Sequence, residues 1–273
     1  MYFLDKLPDD IGKGTKSKMV NGVPCTKIPY TENYHPHATN IACYVLRYEE
    51  EDPANWLINH MDDRGRLWHH FKLPFYKDFP EEWVGGLAQG LTISALIKMY
   101  KKTKNKNYLE GARLAFEGLK ECTTPEGWIC EYPDVPTILN GNLYAIVGIY
   151  ELRNYYKDIE LFYRKCLNNI CKNLYKYELS YGWSLYDLEL KLPATRFYHE
   201  VHVDLLRLLS VLTQRQVLSL VELRWAKYLD GLNWHYASMH RLWKLWRIHG
   251  TLGLWKRRKI RKEWLNGKTI KKV

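Results

Sequence analysis

The sequence predicts a mainly α chain: an α/α toroid, an incomplete barrel of about four helix pairs with short β-hairpin inserts. Two observations carry that prediction. Helical text comes in pairs that recur about every 55 residues. Between the pairs lie short extended runs bounded by turn residues. In a toroid the inner helices ring a central cleft, and the loops that enter them present the chemistry. An untwisted stack of helical hairpins is the other arrangement this pairing allows.

Residues 1–35 carry turn signals (PDD, GKG, NG and two further prolines) and few apolar runs, so they read as an irregular or hairpin-containing lead-in. After His35-Pro36 the first pair is expected at about 38–49 and 53–61, with Asp52 as N-cap and Pro53 in the first turn. RGRLWHHFKLPFY (64–76) alternates enough for a short hairpin or extended segment. The second pair is expected at about 84–102 and 106–122, and the third at about 140–157 and 158–178. YGWSLYDLELKL (181–192) again reads as extended, and the fourth pair follows at about 198–213 and 215–230. This gives a lead-in (1–35), a toroid (36–232) and a basic, Trp-rich tail (233–273).

An apolar content of 46% over 273 residues is ample for a core. The start MYFLDKLPDD has no basic stretch followed by an apolar one, so no secretory leader is expected. No apolar run reaches the roughly 18 residues that a membrane-spanning helix needs. Six cysteines are scattered with no C-x-x-C pair, and Cys166 and Cys171 are poorly spaced for a bridge or a shared metal. Reduced thiols and a cytoplasmic location are the expectation. The net charge of +11 is concentrated: residues 241–273 hold twelve Lys/Arg against Glu263 alone, so the first 240 sum to zero.

The chemistry concentrates at loops entering the inner helices. GWICEYPDVPTILNG (127–141) sets Glu131 and Tyr132 in a Pro-punctuated loop just before the apolar run LNGNLYAIVGIYEL. Tyr186 and Tyr198 precede the inner helix of the fourth pair. Three tyrosines and an acid therefore fall at one mouth of one cleft.

At these residues the chain resembles a known family. LPFYKDFPEEWVGGLAQGLTISALIKMY (73–100), GWICEYPDVPTILNGNLYAIVGIYEL (127–152) and SLYDL with RFYHEVHVDLL (184–206) are similar to the C-terminal helical domain of D-glucuronyl C5-epimerases. The lead-in IPYTENYHPHATNIACYVLRY (28–48) resembles the entry into that domain, so the likeness covers about 28–230. WVGGLAQG, EYP with LNG, SLYDL and YHxxH occur in the family's order. The resemblance implies inversion of C5 of glucuronate in a heparan-like polysaccharide or lipid-linked glycan, giving iduronate, with Tyr132, Tyr186, Tyr198 and Glu131 lining the site and Asn140 touching substrate. It implies no organic cofactor. The family's arginine after YDL is Glu189 here, and the β-rich N-terminal portion of the animal enzymes has no counterpart in this sequence.

Epimerisation at C5 removes a proton α to a carboxylate and returns one from the opposite face. It needs a base, an opposing acid and a group that neutralises the enediolate. A tyrosine serves as base only where neighbours stabilise its phenolate. The expectation is Tyr132 and Tyr198 on opposite faces, Glu131 assisting one of them, and Tyr186 orienting the sugar or stabilising charge. With Glu189 at the arginine position, Arg196, Lys191, His199 or His202 is expected to supply the neutralising group. Trp83 and Gln89, opening the inner helix of the second pair, are candidate sugar contacts. YHEVH falls one residue short of the H-E-x-x-H spacing, so no metal site is expected. A polysaccharide lyase sharing the abstraction step, a hydrolase pairing Glu131 with Asp187 or Glu189, and a non-catalytic glycan binder are the alternatives.

In the tail, Met239, Leu242, Trp243, Leu245 and Trp246 share one helical face, and His240, Arg241, Lys244 and Arg247 the other. Five of eleven Trp lie between Trp234 and Trp264, interleaved with cations. That composition suits an interfacial helix on an anionic membrane over residues 236–264. A polyuronate-binding strip and a solvated tail compete with it, and nothing in the body points to nucleic acid.

Overall fold

The computed structural model of the chain describes residues 17–27, 34–72, 79–135, 137–229 and 231–265, with side chains as far as Ile248. The start of the lead-in, its 28–33 stretch, residues 73–78 of the first family-like segment and the side chains of the basic run after Gly250 lie outside that description.

Eight helices form four antiparallel pairs. α1 (Ala38–Tyr48) pairs with α2 (Glu51–Asn59), α3 (Gly86–Thr103) with α4 (Lys106–Glu121), α5 (Leu139–Leu152) with α6 (Glu160–Asn173), and α7 (Arg196–Thr213) with α8 (Gln216–Ala226). The first helix of each pair is the inner one, and α1, α3, α5 and α7 stand side by side in that order. α3 and α5 are buried over nearly their whole length, which is why their apolar residues run all round the helix. α4 and α6 bury one face and turn the other to solvent.

The turn from inner to outer helix repeats. Glu49, Lys104 and Gln214 each adopt a left-handed conformation (φ 55°, 62° and 53°). Each donates its N–H to the carbonyl four residues back, at 2.8–2.9 Å, closing the helix as glycine more often does. On the entry side, Asn105 Oδ1 accepts from Asn107 N–H at the start of α4, and Thr195 Oγ1 accepts from Tyr198 N–H at the start of α7.

Two small antiparallel sheets decorate the ring. β1 (Ser17–Val20), β2 (Val23–Lys27) and β3 (Tyr34–Pro36) form one, turned at Asn21-Gly22, where both residues have positive φ. β4 (His69–His70) and β5 (Glu82–Trp83) form the other.

One local expectation is corrected, and of the two readings of 64–76 the extended one holds. α2 starts at Glu51 with Glu50 as its N-cap, so Asp52 lies inside the first turn, where its charge suits the helix dipole. Glu50 offers no cap bond, because its carboxylate accepts from Tyr44 O–H at 3.0 Å. Within the described part of 64–76 the chain does not fold on itself. Leu67 bridges back to Met61, and His69–His70 pairs forward with Glu82–Trp83.

A ninth helix, α9 (Asn233–Leu265), follows the last pair and is broken at Gly250 (φ 65°, ψ 174°). Ala237 is buried, while Met239, Leu242, Trp243 and Trp246 face solvent. The face turned to the body carries His240, Arg241 and Lys244, with Leu245 partly covered beside them. Among the described residues no helix is long and apolar enough to cross a membrane.

α3 and α5 touch backbone to backbone at Gly90, where an added Cβ would stand 2.4 Å from Ala145 Cα. Alanine favours a helix over glycine by about 1 kcal/mol, yet the neighbour here is main chain that cannot yield. Gly90→Ala is therefore expected to lower unfolding free energy by about 1–3 kcal/mol in urea denaturation, opposite in sign to propensity.

Candidate active site

The loop from Cys122 to Ile138 delivers Glu131 and Tyr132, and α3 and α5 fix its course. Asn142 on α5 accepts from Ile129 N–H at 2.8 Å and donates to the carbonyls of Ile129 and Ile138 at 3.1 and 2.9 Å. Gly86 N–H at the head of α3 donates to Cys130 O at 2.7 Å. The loop then drops Glu131 onto the first turn of α5. A Cβ on Gly141 would meet Glu131 Oε2 at 2.5 Å, so glycine follows Asn140 because the carboxyl occupies the space of a side chain.

Glu131 is 3% exposed. Its Oε2 accepts from Asn140 Nδ2 at 3.1 Å and its Oε1 from Tyr186 O–H at 3.4 Å. Burial pushes its pKa up to about 7, against the opposing pull of hydrogen bonds from Tyr132, Tyr186, Asn140 and the Gly141 amide. The carboxyl is therefore poised to gain or lose a proton near neutrality.

Tyr186 sits on the 178–193 loop, which is stitched to the entry of α5. Leu139 N–H donates to Tyr186 O at 3.0 Å, and Tyr177 O–H donates to Thr137 O at 2.8 Å. Tyr198 projects from the first turn of α7, and its ring centroid lies 4.8 Å from that of Tyr186. Burial, then the charge of Glu131, raises the Tyr198 pKa to about 12, while Tyr186 and Arg241 draw it down.

A cavity of about 230 Å³ opens here. Its walls come from the N-terminal ends of all four inner helices: His37, Thr39 and Asn40 at α1, Trp83 and Leu87 at α3, Asn140 and Tyr144 at α5, Phe197 and Tyr198 at α7, with Glu131 and Tyr132 between. Tyr132 packs edge-on against Trp83, centroids 5.5 Å apart. Asn140 Oδ1 is buried beside the cavity with no partner among the described residues.

Of the residues singled out in the sequence, Glu131, Tyr132, Asn140, Tyr198 and Trp83 line this cavity, and Tyr186 reaches it through Glu131. Six others are elsewhere. Gln89 is fully buried and holds the 65–67 turn, donating to Gly65 O and Ala115 O at 2.6 and 2.9 Å and accepting from Leu67 N–H at 3.0 Å. His199 and His202 are fully buried behind the wall, each with Nδ1 2.8 Å from Ser184 Oγ. His199 also stacks on Trp183, and burial lowers both histidine pKa values, so neither offers a cation to a ligand. Arg196 is exposed and paired with Glu200 at 3.1 Å, and Lys191 and Glu189 are exposed on the outer loop.

Sequence reasoning missed two features. One is a histidine pair at the cavity wall: His37 lines it, the His69 ring behind lies 4.7 Å from that of His37 and 4.1 Å from Trp83, and burial holds both histidines neutral. The HPHATN run and the HH pair were its only signals, and they are far apart in sequence. The other is Arg241 of α9, whose charge reaches Tyr186, Asp187 and Tyr198. No spacing rule joins it to them. Among the described residues no three His, Cys, Asp or Glu side chains gather as metal ligands.

A family model described as D-glucuronyl C5-epimerase C-terminus matches residues 61–227. A D-glucuronyl C5-epimerase of Caenorhabditis elegans is 26% identical over 243 residues, covering 75% of this chain. The match takes in 37% of that protein, so the chain spans little more than a third of its curated relative's length. Among solved structures, a GH76 alpha-mannanase of Bacteroides thetaiotaomicron superposes with a TM-score of 0.50 at 11% identity, over 76% of this chain and 62% of that one. That protein is an α/α toroid, the fold that the helix pairing predicted.

The buried carboxyl makes a testable statement about pH. An unfolded glutamate loses its proton near its ordinary value of 4.5 and folded Glu131 near 7, so between them the unfolded state holds fewer protons and stability falls as pH rises. Glu131→Gln is expected to abolish this loss of up to about 3 kcal/mol between pH 5 and pH 8. Urea melts of both proteins at the two pH values read it directly.

Proposed function

The chain belongs to the family of D-glucuronyl C5-epimerase C-terminal domains, and on that premise we propose that it is a carbohydrate epimerase that inverts C5 of a glucuronate residue in a polysaccharide or lipid-linked glycan. The observation that carries the reading is the contact set of Glu131: a buried carboxyl bonded to Asn140 and Tyr186, at a cavity that Tyr132 and Tyr198 enter from different walls.

The proton steps follow from that arrangement. One tyrosine, as phenolate, takes the C5 proton, and the electron pair is delocalised into the sugar carboxylate. The opposing tyrosine returns a proton from the other face and is left as the phenolate. Glu131, poised near neutrality, and Tyr186 restore the starting state by relaying a proton from the tyrosine that took one to the tyrosine that gave one. Buried phenols are poor bases without such a partner, because burial raises the Tyr198 pKa. Asn140 Oδ1, which has no partner among the described residues, is placed to accept from a sugar hydroxyl.

Proton NMR of heparosan incubated with the chain in D₂O tests the reaction. Loss of the H5 signal with new iduronate-type resonances is the expected result; unsaturated uronate signals would assign a lyase, and an unchanged spectrum would count against activity on this polymer. Tyr198→Phe and Tyr132→Phe are each expected to slow exchange by about 10² or more while heparosan binding is kept.

We further propose that the outward face of α9 rests on an anionic membrane surface. Leu242, Trp243 and Trp246 are each close to half exposed on the solvent side, and the chain's net positive charge is confined to residues 241–273. Sedimentation with vesicles tests it: binding should require anionic lipid, weaken with salt, and fall about tenfold or more in Trp243→Ser/Trp246→Ser.

A further inference from the structure

Proton abstraction beside a carboxylate builds negative charge, and none of the cations expected from the sequence stands at the tyrosines. Arg196 is spent on Glu200, Lys191 lies outside, and the two histidines are buried and neutral. The C-terminal helix supplies one. Arg241 is partly buried, and its Nη1 donates to Pro193 O at 2.6 Å.

That carbonyl lies on the segment joining the two tyrosines. Pro193 bridges to Leu185, Tyr186 N–H donates to Leu192 O at 2.7 Å, and Thr195 caps the turn that carries Tyr198. Three further contacts hold α9 on the same loop. Asn233 Nδ2 donates to Tyr181 O at 2.7 Å, His240 Nδ1 meets Tyr181 O–H at 3.0 Å, and Lys244 Nζ donates to Leu190 O at 3.4 Å.

Among the described residues no carboxylate lies within ion-pair distance of Arg241. Asp187, whose charge reaches it, is already engaged by loop amides, with Leu190 N–H 2.6 Å from its Oδ1. The guanidinium charge therefore acts on Tyr186 and Tyr198 as well as on Asp187. The other titratable groups facing Tyr198 are Glu131 from the loop before α5, Tyr186 beside it, and Tyr144 from α5. None of these is a cation.

We propose that Arg241 is the cation of this active site, a positioning residue that acts through Tyr186 and Tyr198 by stabilising their phenolate forms, so that α9 is part of the catalytic unit. The inference rests on the epimerase reading for the reaction it serves, but not for the ionisation it controls. An opposite charge nearby lowers a phenol pKa, and Arg241 draws that of Tyr198 down. Without Arg241, burial and Glu131 would act on Tyr198 with no cation opposing them.

The test installs 3,5-difluorotyrosine at position 198, whose phenol ionises at lower pH than tyrosine, and follows its ¹⁹F signal against pH. Arg241→Gln, which keeps a donor for Pro193 O, should move the midpoint up by about one unit or more relative to the parent. Arg241→Lys should stay near the parent. Coincident midpoints in the parent and Arg241→Gln overturn the proposal, and Arg241→Met carries the same comparison should the glutamine variant not fold. In the unlabelled protein the rising limb of the C5-exchange pH profile should shift to higher pH in Arg241→Gln, with kcat falling more than KM. A shifted midpoint without any exchange on heparosan would leave Arg241 in place and count against epimerase activity on this polymer. Exchange with coincident midpoints would remove Arg241 alone.

Discussion

The structure depends on keeping one carboxyl out of water. Burying a carboxylate without partners is costly, and Glu131 meets that cost with partners drawn from three elements. Asn140 and the Gly141 amide come from the first turn of α5, whose free N–H groups and dipole favour negative charge. Tyr186 comes from the loop before α7, and the backbone of the Glu131 loop is pinned by Asn142 and by the head of α3. The requirement explains motif residues that spacing alone does not. Glycine follows Asn140 because the carboxyl fills its side-chain space, and Asn142 is there to hold Ile129. A loop satisfied this completely has one conformation, and one conformation is what acid–base chemistry at a carbon centre needs.

The ring geometry turns that local solution into a site. Because the inner helices enter the ring in the same sense, their N-termini open on one side, and the cavity is lined from all four. Tyr132 and Tyr198 belong to different entries, so their separation is set by helix packing and not by loop flexibility. The backbone contact at Gly90 is one of the points that fixes that packing. Core packing and site geometry are therefore the same problem at the mouth of the ring.

Helix pairing, the toroid and the acid–phenol loop were legible in the sequence because each rests on periodicity or on a contiguous motif. Gln89, His199 and His202 were misread for a common reason. A side chain that satisfies backbone or a buried hydroxyl presents the same donors and acceptors as one that satisfies a ligand, and sequence does not say which partner is near. Gln89 spends three bonds on Gly65, Leu67 and Ala115; His199 spends both ring nitrogens on Ser184 and Trp225, and His202 spends one on Ser184. Arg241 was hidden differently. A helical wheel sorts α9 into an apolar and a polar face and invites the apolar one inward, yet the loop it meets presents carbonyls and a tyrosine hydroxyl. The polar face docks because it has those partners.

An incomplete ring has two ends, and both are closed by segments outside the helix pairs. At the α1 end, β2 packs on α1 and α2, and Asn40, beside the cavity, donates to Thr26 Oγ1 at 2.7 Å. At the α7 end, α9 lies on the loop that carries Tyr186. The two closures differ in what they bring. The sheet contributes shape, and its bond to Asn40 braces the cavity wall. The helix contributes charge, placed where burial and Glu131 raise the proton affinity of Tyr198 with no other cation to oppose them. Turning its cationic face inward leaves Trp243 and Trp246 outward, so one helix both completes the electrostatics of the cleft and presents an aromatic surface. Any surface that grips those tryptophans therefore also steadies the arginine, and binding outside and ionisation inside become parts of one helix position.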